Sequence, residues 1–130
     1  MEMSLISSHV CMTKDVGFHG NLFGGLMLAW LDEAAAGFAA EICESPRMVT
    51  KKISEVIFQK PVRPGQIIKI YGKLKKIGTS SVVVELEARR HSPYNGSQQV
   101  VCTTDMTFVR VDGDGEPVPI SQHIREKYKS

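Results

Sequence analysis

Residues 24–44, GGLMLAWLDEAAAGFAAEICE, decide the fold. Alanine, leucine and methionine dominate, no proline interrupts, and Ser45-Pro46 closes the run, so one long helix is expected. At 1.5 Å per residue it spans about 30 Å, the width of a small domain. Glu33, Gly37, Glu41 and Glu44 fall within about 80° of one another and form a solvated stripe. Asp32 lies off that stripe, with Leu28, Ala29, Ala35 and Ala36 at helical neighbour spacing. An acid among small apolar groups is either bonded to a nearby backbone or basic group, or placed there for chemistry.

Outward from the helix the pattern changes to period two. Residues 49–59 are expected as a strand ended by Pro61 and the Pro64-Gly65 turn, and residues 4–12 as a short first strand. Within 66–77, Ile68, Ile70, Gly72 and Leu74 share one face, against Lys69, Tyr71, Lys73 and Lys75 on the other. Within 82–90, Val82, Val84, Leu86 and Ala88 oppose Val83, Glu85, Glu87 and Arg89. Within 98–111, Val100, Cys102, Met106 and Phe108 oppose Thr103, Asp105 and Thr107. Such sheets are antiparallel and buried on one side, and the helix is the one partner available to cover them. The fold class is α+β, in the order β-α-β-β-β-β. Residues 121–130, SQHIREKYKS, form a tail that ends in an amphipathic turn or frays.

With 130 residues the chain is one domain, and its 42% hydrophobic and 23% charged content is ordinary for a globular protein. A net charge of +2 fits a local anion site better than a nucleic-acid-binding face. Cys11, Cys43 and Cys102 are an odd, unpatterned set, against a disulfide framework or zinc site and in keeping with a reducing compartment. The N-terminus lacks the features of a signal peptide, and Asp32, Glu33 and Glu41 interrupt the most apolar segment. A soluble cytoplasmic protein is expected, without a membrane or nucleic-acid partner. The DGDGE of 112–116 lacks the spacing and final carboxylate of a calcium loop, so no metal site is expected.

Ahead of the helix stands FHGNLFGG, residues 18–25. Two glycines at a helix start leave backbone N–H groups unobstructed at its positive end, suited to a phosphate or an oxyanion, unless glycine serves only the loop geometry. The spacing matches neither a dinucleotide fingerprint nor a phosphate-binding loop. His19 reads as a structural loop residue, since no G-x-S-x-G surrounds any serine. Asn21 either binds a water or carbonyl through its amide or caps the helix.

Together these pieces resemble a known family, the hot-dog-fold acyl-CoA thioesterases. Within it the chain is similar to the broad-range bacterial acyl-CoA hydrolases, which are themselves similar to the domains of mammalian cytosolic acyl-CoA hydrolases. GNLFGG at 20–25, LDEAAA at 31–36, VTKKISEVIFQKPVRPGQ at 49–66, IGTSSVVVELEA at 77–88 and TFVRVDGDGEPVPI at 107–120 carry the resemblance. It implies a long central helix wrapped by a five-stranded antiparallel sheet over residues 1–120. It further implies homodimers with active sites at the interface, in some members trimers of dimers. The implied activity is hydrolysis of acyl-CoA to a carboxylic acid and CoA, with CoA as part of the substrate and no cofactor. Asp32 occupies the position of the family's catalytic acid, and in some relatives an asparagine at the position of Asn21 works with it across the interface. Gly78, Thr79, Ser80 and Ser81 match a stretch on the CoA-binding side.

A thioester leaves as a thiolate whose conjugate acid has a pKa of about 8.5, by analogy with cysteine, so departure needs little help. What remains is a nucleophile and a place for the carbonyl charge. The expectation is that Gly24 and Gly25 amides hold the oxygen while Asp32, on the same helix, activates water or attacks to give a mixed anhydride. Leu28, Trp30 and Phe58 are expected around the acyl chain, and basic residues such as Lys60 and Arg63 near the CoA phosphates. The competing readings are a non-catalytic acyl-CoA sensor, an aryl-CoA thioesterase of the same fold, and a hydratase or dehydratase, which lacks its usual histidine loop here.

Overall fold

The computed structural model describes residues 2–129. Helix α1 runs Gly24–Cys43 and buries Met27, Leu31, Ala34, Ala35, Ala39 and Cys43 along one stripe. Three alanines in that stripe let the sheet approach closely. The helix stops where Glu44 turns left-handed (φ 51°, ψ 42°) and the Ser45 N–H donates to the Ala40 carbonyl at 3.0 Å. Glu33, Gly37, Glu41 and Glu44 are exposed, as their spacing predicts.

Around it curve strands β1 (Ser4–Val10), β2 (Met48–Ile53), β3 (Ile57–Phe58), β4 (Ile67–Ile77), β5 (Ser81–His91) and β6 (Gln98–Arg110). The sheet order is β1-β4-β5-β6-β2, every pairing is antiparallel, and β3 also pairs with β6. The inner face carries Ile68, Ile70, Val82, Val84, Leu86, Ala88, Cys102, Met106 and Phe108, all fully or almost fully buried. Burial follows period two along β5 and the first half of β4, as the alternation predicts. The three cysteines are free and buried, and burial pushes the Cys102 thiol up to about 11.

Two expectations change. The strand expected over 49–59 is two strands, so the sheet has six rather than five. Ser54 is diverted there: its N–H donates to the Asp105 carbonyl at 2.9 Å, and its carbonyl accepts the hydroxyl of buried Thr104 at 3.1 Å. The chain rejoins the same edge of β6 at Ile57, opposite Thr103. A bulge between Ala88 and Arg89 leaves Val101 unpaired against β5, and Val101 rather than Val100 takes the buried position. Of the two forms expected for the tail, the amphipathic turn is found: Gln122–Lys127 form helix α2, which seats Ile124 in the core. Among the described residues no helix is long and apolar enough to cross a membrane.

Candidate active site

The loop from Cys11 to Phe23 sets the start of α1. Thr13–Asp15 form a single 3₁₀ turn. Asp15 is 5% exposed; its carboxylate accepts the Met12 N–H at 2.8 Å and Lys14 Nζ at 2.9 Å. The Lys14 ammonium, then the Met12 amide, hold its carboxyl below the ordinary carboxylate range against the opposing pull of burial. Its backbone carbonyl accepts the Phe23 N–H at 3.0 Å, so Asp15 fixes both ends of the loop.

Because the folded pKa is depressed, this stabilisation is full above the unfolded value of about 3.9 and is lost as pH falls through the folded value. Asp15→Asn therefore unfolds at lower urea than wild type at about pH 7, and the gap narrows as pH falls below about 3.9 toward the depressed folded value. Urea titrations from neutral pH into the acid range check this.

Within the loop the Gly17 N–H donates to the Asn21 carbonyl at 2.8 Å, and Gly20 adopts φ 77°, a conformation that favours glycine. The Leu22 N–H donates to the Val62 carbonyl at 2.7 Å. Phe23 is the extended N-cap and supplies no side-chain cap. Its carbonyl accepts the Leu26 and Met27 N–H groups, while those of Gly24 and Gly25 have no acceptor among the described residues. The helix thus opens on two free donors at its positive end.

Beside these donors lies a cavity of about 480 Å³. His19, Asn21, Gln59 and Lys60 supply its polar groups, and Leu22, Met27, Phe58, Val62 and Val101 line its apolar part. Asn21, Gly24 and Lys60 are thus brought together. Leu28 and Trp30 do not line the cavity; the Trp30 ring instead stacks on His9 of β1, 4.4 Å between centroids and 9° from parallel. Arg63 also lies off it, exposed, its N–H bonded to Gln66 Oε1 at 2.8 Å.

Asp32 is half-exposed rather than buried, and its Oδ1 accepts the hydroxyl of Thr50 at 2.7 Å. Thr50 stands on the edge strand β2. Sequence reasoning passed over it; the one available sign was its place in the strand straight after the helix. Eight residues separate Gly24 from Asp32, about 12 Å along the axis. One protomer therefore cannot offer both its helix-start amides and its own acid to a single carbonyl, contrary to the expectation of one site on one helix.

Gly78, Thr79, Ser80 and Ser81 form the β4–β5 turn. Ser81 pairs with Val109 of β6, eight residues from Val101 at the cavity, a distance of about 26 Å. Within one protomer the turn is remote from the cavity. It borders a separate cleft with Lys75, Lys76, Arg125, Lys127 and Lys129.

Residues 19–97 match the model of the thioesterase superfamily. The acyl-CoA thioester hydrolase YciA of Salmonella typhimurium is 29% identical over 119 residues, 89% of each chain. A hexameric hot-dog-fold thioesterase of Campylobacter jejuni superposes with a TM-score of 0.85 at 33% identity, covering 97% of this chain and 96% of that one. An acyl-CoA hydrolase of Staphylococcus aureus, solved with butyryl-CoA and CoA, gives 0.82 at 25% identity over 95% of this chain and 79% of that one. Family model, overlap and topology agree: the chain belongs to the thioesterase superfamily and is a hot-dog-fold relative of the bacterial acyl-CoA thioester hydrolases.

Proposed function

We propose that the protein hydrolyses acyl-CoA to a carboxylic acid and free CoA, in sites that each combine two protomers. The observation that carries this is the placement of an acid and two free amides along one open sheet edge. Asp32 reaches that edge through Thr50 of β2. Gly24 reaches it through the Phe58 ring of β3, 3.5 Å from where a Gly24 Cβ would stand. A two-fold axis crossing the edge between them brings the acid of one protomer to the amides of the other, twice over. The same edge exposes Val49, Ile53, Ile57 and Phe58, an apolar strip suited to burial against a second copy.

In such a site the thioester oxygen accepts hydrogen bonds from Gly24 and Gly25, and the Asn21 amide orients the carbonyl or the water. Asp32 of the partner takes a proton from water as its oxygen attacks the carbonyl carbon, or attacks directly to form a mixed anhydride. On either route the negative charge gathers on the carbonyl oxygen, the C–S bond breaks, and the thiolate leaves and is protonated; a mixed anhydride is then cleaved by water, which releases the carboxylic acid and restores Asp32. The Thr50 hydroxyl holds Asp32 at the angle the reaction needs. Lys60, at the cavity rim, meets a CoA phosphate, and Arg63 lies further along the same loop. The Gly78–Ser81 turn, with its neighbouring lysines, reaches CoA only from another protomer, in keeping with a trimer of dimers. No cofactor enters these steps, because the thiolate departs without one. Three buried thiols suit the cytoplasm.

Thiol release from short, medium, long and aromatic acyl-CoAs tests the reading. Release from aliphatic members is expected. Tight binding without release would favour the sensor, and release from aromatic esters alone the aryl-CoA branch.

A further inference from the structure

The cavity at the helix start has a polar rim and an apolar floor, made by different residues. Met27 and Val62 are each 3% exposed and Val101 1%, so they form the floor, while His19, Gln59 and Lys60 are exposed at the rim. Two parts of the floor are held by backbone bonds. The Val62 carbonyl accepts the Leu22 N–H at 2.7 Å, and the Val101 carbonyl accepts the Gln59 N–H at 2.8 Å. Met27 is different, an unbranched side chain with several rotatable bonds that fits itself to irregular space. It follows Gly24 by three residues on the same helix face, and side chains on a helix lean back toward its start. A chain attached to a carbonyl carbon held at the Gly24 amide therefore runs onto Met27.

Resting on the thioesterase reading above, we infer that this cavity takes the aliphatic tail of the acyl group and that Met27 sets the longest chain accepted. The floor carries no charge or hydrogen-bonding side chain, so it suits saturated straight chains. The volume of about 480 Å³ lies in the lower half of the range for small-molecule sites, which points to short and medium chains.

The experiment is kcat/KM for straight-chain acyl-CoAs from acetyl to palmitoyl, with wild type, Met27→Ala and Val62→Ile. In wild type each methylene buried raises kcat/KM about fourfold, the equivalent of about 0.8 kcal/mol, up to a break. Met27→Ala moves the break to longer chains, so the ratio of the first length past the wild-type break to the length at it rises about fourfold. Val62→Ile adds a methylene to the floor and moves the break to shorter chains. Each readout is a ratio between substrates in one protein, so a smaller folded fraction cancels. If Met27→Ala does not fold, Val62→Ile decides alone. An unmoved break overturns the inference while leaving the thioesterase reading intact. Wild-type protein that releases no thiol from any member overturns that reading, and this inference with it.

Discussion

Asp32→Asn lowers the rate of acyl-CoA hydrolysis by about 10²–10⁴-fold, the range for loss of a general acid–base group. The substitution preserves shape and leaves a side-chain oxygen to accept the Thr50 hydroxyl, so folding is little changed. What it removes is the charge that, in the proposed mechanism, takes a proton from water or attacks the carbonyl. Thr50→Val separates position from chemistry. It deletes the 2.7 Å bond while keeping the carboxylate, and costs about tenfold, less than loss of the acid itself. The check is kcat on one acyl-CoA for the three proteins, with urea midpoints to confirm that each is folded. A folded Asp32→Asn variant with the wild-type rate would contradict the assigned role.

Gly24→Pro lowers kcat by about 10²–10³-fold, the cost of removing one oxyanion donor. Proline is well tolerated at the first helical position, where its missing N–H has no helical partner. Phe23 already has the extended conformation (φ −63°, ψ 127°) that a following proline demands. A Cβ at Gly24 meets the Phe58 ring at 3.5 and 3.7 Å, ordinary contact. The variant therefore deletes a donor without rebuilding the helix, which a bulky residue could not do. Gly24→Ala is the control: it adds a similar Cβ but keeps the N–H, and is expected to lose far less. Equal losses in the two variants would assign Gly24 to packing and not to the oxyanion.

The helix and the sheet faces were legible because each rests on a local repeat: alanine-rich helical spacing in 24–44, strict alternation in 82–90. What was hidden depends on groups far apart in sequence. The break between β2 and β3 is made by Thr104, whose hydroxyl holds the Ser54 carbonyl from fifty residues away. The inward turn of Val101 comes from a bulge in the pairing with β5, and alternation alone pointed to Val100. Thr50 gained its place only when the helix met the edge strand. Trp30 found a ring partner in His9, from a strand at the other edge of the sheet. The 12 Å between Gly24 and Asp32 was already contained in the helical rise, yet the expected mechanism set both at one carbonyl on one helix. The proposed function instead divides that site between two chains.

That division is tested by mixing Asp32→Asn chains with Gly24→Pro chains after dissociation. Each parent assembly has two broken sites. A mixed dimer places both substitutions in one site and leaves the other intact, so random reassociation restores about a quarter of wild-type activity. Activity that stays at the mean of the two parents, with mixed dimers present, would contradict a site shared between protomers.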